Sequence, residues 1–202
     1  MRAGLRRSAL AGAIGVMVVG ALTLTGCSND PLAEQYRAGS GKNYIAGDGS
    51  ITEIAVANRG EPISYSGTSL TGAPISSAAE AGKVQVINFW YAGCAPCRAE
   101  AADLEKVYKQ VQGSGVSFLG VNVRDGNDTA LAFNKTFGIT YPSVSDLNGK
   151  VQLAFASKVP PNAVPTTLVL DKQGRVAARI LGRLSDPTIL ATLINDQLKA
   201  TS

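Results

Sequence analysis

A chain of 202 residues is long enough for one domain with a full core plus further N-terminal sequence, and its 45% hydrophobic and 17% charged content is ordinary for a globular protein. It holds no histidine, which excludes Ser-His-Asp and Cys-His catalysis, His-containing zinc or copper sites, and haem attachment through Cys-x-x-Cys-His. The net charge of +4 is uneven: Arg2, Arg6 and Arg7 fall in the first 26 residues, which hold no Asp or Glu, and the near-neutral remainder is a poor match for nucleic acid.

In chain order, residues 1–7 are short and positive, and residues 8–25 are uncharged and rich in Ala, Leu, Val, Ile and Gly, the arrangement of a secretory signal. The stretch ends in Leu24-Thr25-Gly26-Cys27, which resembles a bacterial lipobox. That resemblance implies that Cys27 carries diacylglycerol through a thioether and becomes the mature N-terminus on the membrane. An uncleaved anchor helix and an ordinary signal for soluble secretion are the other readings. A spanning helix needs roughly 20 apolar residues, and this stretch is slightly short and rich in Gly and Thr. The expected partition is a lipoprotein signal peptide at 1–26, a flexible tether at 27–50 that includes Gly39-Ser40-Gly41 and Gly47-Asp48-Gly49, and one domain at 51–202.

Residues 51–57 and 63–66 are short β-leaning runs divided by Asn58-Arg59-Gly60-Glu61-Pro62, a turn signal that predicts an N-terminal β-hairpin. Residues 84–90 read as a buried strand. Residues 95–112 carry apolar positions at Ala101, Leu104, Val107, Tyr108 and Val111, one face of a helix, stopped by Gly113-Ser114-Gly115. Residues 116–123 return as a strand, giving a right-handed β-α-β unit. Asp128 is the predicted cap of a second helix reaching Phe137, with Gly138 past its end. A short extended stretch at 139–144 and one or two helical turns at 151–156 follow. Residues 166–170 and 176–181 pair across Asp171-Lys172-Gln173-Gly174, and Ser185 is the predicted cap of a last amphipathic helix to about Lys199. The sum is an α/β fold, a sheet with helices on both faces.

The chemistry centres on Cys94-Ala95-Pro96-Cys97, where the buried strand gives way to the helix. Free N–H groups and the helix dipole at a helix start favour an anion, so Cys94 is placed to ionise, and the thiolate is the nucleophile of disulfide exchange. Cys97 follows by one turn, so the two sulfurs can meet, and Pro96 fits the first turn, where its missing N–H costs little. Two other readings are half a zinc site and an inert structural disulfide. Structural zinc needs about four ligands, and no Cys other than Cys27 and no His remains to supply them. A loop this short stabilises little by chain entropy.

Residues 88–100, Asn-Phe-Trp-Tyr-Ala-Gly-Cys-Ala-Pro-Cys-Arg-Ala-Glu, resemble the active-site segment of membrane-anchored thioredoxin-like proteins of the TlpA/ResA type. Val164-Pro165-Thr166-Thr167 before a strand, then Asp171-Lys172-Gln173-Gly174, is similar to that family's cis-proline loop and the turn after it. The resemblance runs from about Ile63 to Leu198. It implies a thioredoxin-like fold with a central mixed sheet, an N-terminal β-hairpin and a central insertion at about 128–156. It implies that Cys94 attacks and Cys97 resolves, and that Pro165 packs beside them in cis while the backbone of Val164 pairs with an incoming substrate segment. Glu100 matches a carboxylate that influences thiol protonation, although the residues alone also read as an exposed acid in a helix's first turn. Trp90 is core packing first and a lining of the site second. Asn88 stands where ordinary thioredoxins place a buried Asp, so proton handling differs from theirs. Gly93 departs from the usual Trp, and Ala102 from a helix-kinking Pro.

The resemblance further implies a membrane-bound reductase outside the cytoplasm with no cofactor and no metal. Its partners would be a disulfide-containing exported protein such as apocytochrome c and a transmembrane thiol electron donor. Three alternatives stand beside it: the same chemistry run as a disulfide-forming oxidant, a peroxiredoxin-like thiol peroxidase, and a non-enzymatic binding lipoprotein. The Pro-x-x-x-Thr-x-x-Cys pattern of peroxiredoxins is absent.

Overall fold

The computed structural model of the chain describes residues 50–160 and 163–200. Its elements in order are β1 (Ile51–Glu53), a 3₁₀ turn (Val56–Asn58), β2 (Ser66–Thr68), β3 (Pro74–Ser76), a second 3₁₀ turn (Ser77–Glu80), β4 (Val84–Trp90), α1 (Ala95–Val111) and β5 (Val116–Asn122). Then come α2 (Asn127–Phe137), β6 (Ser143–Ser145), α3 (Lys150–Ala154), β7 (Thr166–Leu170), β8 (Val176–Leu181) and α4 (Pro187–Lys199). Six strands form one sheet in the order β1-β8-β7-β4-β5-β6. β4, β5 and β6 are parallel neighbours, and β7, β8 and β1 continue antiparallel.

All seven residues of β4 are buried, as a central strand covered on both faces requires. Side chains alternate across a strand, so Ile87 and Phe89 face one way and join Leu119, Val121, Leu168 and Leu170 in a single cluster. Tyr65 and, beyond β6, Val151, Phe155 and Val159 close that cluster. Phe155, fully buried against Tyr65 and Phe89 rings at 5.6 and 5.5 Å, is its keystone. The opposite face of β4, with Asn88 and Trp90, lies under α1, α2 and α4. α1 presents Cys97, Glu100, Ala101, Leu104 and Val107 at helical spacing, and α4 adds Leu190, Leu193 and Ile194.

Gly120 on β5 marks the tightest approach on this face. A Cβ there would lie 2.9 Å from Trp90 Nε1 and would collide with Ser143 Oγ on β6. The next residue outward on that side, Phe133 of α2, sets its ring 4.3 Å from that of Trp90.

The structure corrects the predicted N-terminal arrangement. A hairpin is present, but its strands are β2 and β3, with Thr68 opposite Pro74. The first run pairs instead with the far edge of the main sheet, Ile51 opposite Ile180. The intervening turn is pinned outward: Arg59 Nη1 reaches Asp171 Oδ2 at 2.9 Å, and Ile63 N–H donates to Gly174 O at 2.9 Å. Two helix starts also differ by a residue or two. Gly126 rather than Asp128 is the cap of α2, leaving Asp128 in the first turn where its charge suits the dipole. Asp186, not Ser185, caps α4, its carboxylate accepting from Thr188 N–H at 2.8 Å. Gly138 does end α2, at φ 68°, as predicted. Cys27 and the expected signal and tether up to residue 49 lie outside the described residues. Among those described, no helix is long and apolar enough to cross a membrane.

Candidate active site

β4 and β5 are parallel, and the space beyond their C-terminal ends is where open α/β sheets present their sites. Tyr91-Ala92-Gly93 turns the chain there, with Cys94 N–H donating to Tyr91 O at 3.1 Å. Cys94 then caps α1 with extended backbone (φ −75°, ψ 110°), and its Sγ accepts from Cys97 N–H at 3.1 Å. That contact separates the two sulfurs chemically. A charge on Cys94 Sγ meets an N–H and the helix N-terminus, whereas Cys97 is already inside the helix.

Cys94 and Cys97 are joined by a disulfide, with Cα atoms 5.2 Å apart. Both are nearly enclosed, at 3% and 2% exposure, while Gly93, Ala95 and Pro96 around them are exposed. Exposure therefore does not rank the two sulfurs; position on the helix does.

Pro165 immediately precedes β7, and the Val164–Pro165 peptide is cis, as the resemblance implied. Because Thr166 stands opposite Phe89, Pro165 comes to the same sheet end as the cysteines. It is buried, and its carbonyl accepts from Gly182 N–H at 2.9 Å. Val164 is half-buried and takes part in no backbone hydrogen bond among the described residues.

Glu100 is fully buried, one turn beyond Cys97 on the same face of α1, which corrects its reading as an exposed first-turn acid. Oε1 accepts from Asn88 Nδ2 at 3.0 Å and Oε2 from Leu184 N–H at 2.7 Å. Burial pushes its carboxyl up to about 7, against the pull of those two donors and of the Arg183 charge, with Asp103 adding to the rise. Asn88 completes the arrangement by donating to Thr167 Oγ1 at 3.0 Å. Trp90, 3% exposed and packed on Phe133, is core in this geometry.

The loop after β5 was not singled out from sequence, yet it forms a wall of the site. Asp125 Oδ2 accepts from Ala92 N–H at 2.6 Å and from Asn122 Nδ2 at 2.8 Å. Asn122 Oδ1 in turn takes the N–H groups of Arg124 and Asp125 at 3.0 and 2.7 Å. The Arg124 guanidinium lies 4.2 Å over the Tyr91 ring. An Asn ending a strand with Arg and Asp just after it is an ordinary composition, so no sequence signal distinguished them. Leu184 gave no signal, and the role of Thr167 beside the cis-proline motif was not legible, since each acts on a residue 79 or more positions away. No group of three or more His, Cys, Asp or Glu among the described residues is arranged to hold a metal ion.

The AhpC/TSA family model matches residues 62–179, more than half of the chain. The chain belongs to the AhpC/TSA family. This AhpC/TSA-family chain is 35% identical over 108 residues to the thiol-disulfide oxidoreductase ResA of Geobacillus thermodenitrificans, covering 54% of the chain and 60% of that protein. It therefore spans about three fifths of the length of that relative. A DsbF homologue from Corynebacterium diphtheriae superposes with a TM-score of 0.64 at 34% identity, covering 76% of this chain and 96% of that one. A secreted thiol-disulfide isomerase from Corynebacterium glutamicum gives a TM-score of 0.64 at 32% identity, with 75% and 96% covered. The fold shared with these proteins is thioredoxin-like, a central mixed sheet with helices on both faces.

Proposed function

We propose that the chain is a thiol–disulfide oxidoreductase that reduces disulfides of exported proteins, with Cys94 as nucleophile and Cys97 as resolving thiol. The observation that carries this reading is the bonded pair at the N-cap of α1, with Cys94 Sγ receiving the Cys97 N–H. The Cys94 thiolate attacks one sulfur of the substrate disulfide, forming a mixed disulfide and releasing one substrate thiolate, which takes a proton from solvent. Cys97 then loses its proton and attacks Cys94 Sγ, releasing the second substrate thiolate. Two electrons pass to the substrate, and the Cys94–Cys97 disulfide remains. Glu100, buried one turn from Cys97 with a carboxyl that titrates near neutrality, is the group proposed to take that second proton. Val164 and Pro165 border the position of the substrate segment, and Trp90 supports the floor of the site from the core.

The same proposal places the domain outside the cytoplasm, held to the membrane by lipid on Cys27 after removal of residues 1–26, with residues 27–50 as the tether and 51–202 as the domain. A transmembrane thiol carrier re-reduces the pair, and apocytochrome c is the leading substrate, in keeping with the resemblance to the TlpA/ResA type. The test is mechanism-based trapping. In the full chain with Cys97→Ser, Cys94 holds its partner in a mixed disulfide that survives non-reducing electrophoresis. Absence of any captured partner from a normally folded variant overturns the reading.

A second reading, in which the pair isomerises or donates disulfides, draws support from the 32% identity to the C. glutamicum protein named a secreted thiol-disulfide isomerase. The equilibrium reduction potential separates the two. A value near about −270 mV favours the reductase and one near about −120 mV the oxidant.

A further inference from the structure

Three arginines from three separate segments reach the sheet end that carries the cysteine pair. Arg98 follows Cys97 directly in the first turn of α1, its guanidinium 5.9 Å from the centre of the Phe137 ring. Arg124 follows β5 and lies 4.2 Å over Tyr91, three residues before Cys94. Arg183 sits between Gly182, whose N–H holds the Pro165 carbonyl at 2.9 Å, and Leu184, whose N–H holds Glu100 at 2.7 Å. All three are exposed, and among the described residues none lies within ion-pair distance of a carboxylate.

The acids of the same region do not cancel this charge. Glu100 is buried with both oxygens engaged, and Asp125 is half-buried and committed to the Ala92 N–H and the Asn122 amide. Asp103 and Asp128, the acids next along α1 and α2, pair with none of the three arginines. Asp186, three residues after Arg183, is exposed and accepts from the Thr188 N–H at 2.8 Å. An incoming disulfide is thus met by a rim of three arginines that, among the described residues, carry no ion pair. Arg124 lies over the Tyr91 ring and Arg98 approaches that of Phe137, contacts that leave the N–H groups free to engage a carboxylate.

We propose that Arg98, Arg124 and Arg183 select the substrate: a disulfide in an extended segment that carries Asp or Glu within a few residues of the attacked cysteine. This rests on the thiol–disulfide reading above and names its substrate class. The rim raises the encounter rate of an acidic segment and disfavours a basic one, and both effects weaken as salt is added.

The test uses the full chain, reduced and freed of reductant, reacted with three synthetic peptides that each hold one intramolecular disulfide flanked by Asp, Ser or Lys. Each rate is divided by that of the same peptide with dithiothreitol, a neutral dithiol, which removes differences in intrinsic reactivity. The expected result is an Asp-to-Lys rate ratio of about tenfold at low ionic strength, shrinking as salt is added. The ratio falls to near one in the triple variant Arg98→Gln, Arg124→Gln, Arg183→Gln and persists when the same three positions become Lys. Equal normalised rates in the parent chain, or a ratio that survives the Gln variant, overturn the proposal while the Ser peptide is still reduced. Failure to reduce even the Ser peptide overturns the thiol–disulfide reading itself, and this proposal with it.

Discussion

The side-chain amide of Asn88 gives one hydrogen to Glu100 Oε1 and the other to Thr167 Oγ1, both at 3.0 Å. Through that one group the strand beneath the cysteine pair is tied to the helix that carries the pair and to β7, the strand that follows Pro165. A neutral donor at this position leaves Glu100 as the one ionisable member of the contact. Burial raises its carboxyl to about 7, the range in which the proposed exchange would draw on a proton acceptor.

Glu100→Gln reads this directly. A carboxyl whose folded value of about 7 lies above its ordinary 4.5 favours the fold while protonated. That contribution is full below about pH 4.5 and is lost as pH rises through about 7. The Asn88 amide can turn over to accept from a glutamine while still serving Thr167, so the variant folds. Urea unfolding of the oxidised proteins at pH 5 and pH 8 should show the variant gaining on the parent by about 2.5 kcal/mol across that interval. Parallel stability curves would count against a buried, titrating Glu100. The pH–rate profile for disulfide reduction should lose its inflection near 7 in the same variant.

Asn88→Asp puts a second carboxyl against Glu100 and removes the donor. Two such groups cannot both ionise in a buried site. Stability at pH 8 should drop by about 2–4 kcal/mol, with much of the loss recovered at pH 5, where the pair shares a proton. Equal destabilisation at both values would show that packing, not charge, is the cause.

Gly120→Ala probes the crowded contact between β5, Trp90 and Ser143. The added methyl has no flexible neighbour to displace, since Trp90 is wedged by Phe133 and Ser143 is 3% exposed on a paired strand. Destabilisation of about 1–3 kcal/mol is expected by overpacking, read as a lowered thermal midpoint with the disulfide intact. An unchanged midpoint would mean that β6 gives way freely.

The elements that bear the chemistry were legible because their signals are local. A run of seven apolar or buried-strand residues ends at Trp90, a Cys-x-x-Cys with Pro opens a helix, and Gly138 stops another. The misreadings share a different cause. Residues 51–53 are β-leaning, but three residues cannot specify a partner, and theirs lies more than 120 positions away in β8. Glu100 offered two environments equally well, and the choice was made by Leu184, 84 residues downstream. The Asn122, Arg124 and Asp125 wall is likewise a tertiary object. Its composition is that of any loop, and only the parallel pairing of β4 with β5 brings it to Ala92.

Asp171→Asn tests the clamp that turned the N-terminal segment outward. Burial opposes ionisation of this carboxyl, but the Arg175 N–H and the guanidinium groups of Arg59 and Arg175 outweigh it and hold the group below its ordinary 3.8. The carboxylate therefore stabilises the fold above that value, and the contribution is lost as pH falls through the lower folded one. With Arg59 and Asp171 side chains only 7% and 4% exposed, neutralising one partner strands the other. A loss of about 2–4 kcal/mol at pH 7, narrowing in acid, is expected from chemical unfolding. A difference that stays constant with pH would assign the effect to shape.

The pairing of β1 with β8 has a consequence for orientation. Ser50 O accepts from Leu181 N–H at 2.7 Å, and the next residue along, Gly182, holds Pro165. The polypeptide thus enters the domain at the rim that surrounds the cysteines rather than at the opposite pole. Under the proposed membrane anchoring, the domain would be held from the end that carries the cysteines, so reach as well as recognition would decide which disulfides it meets.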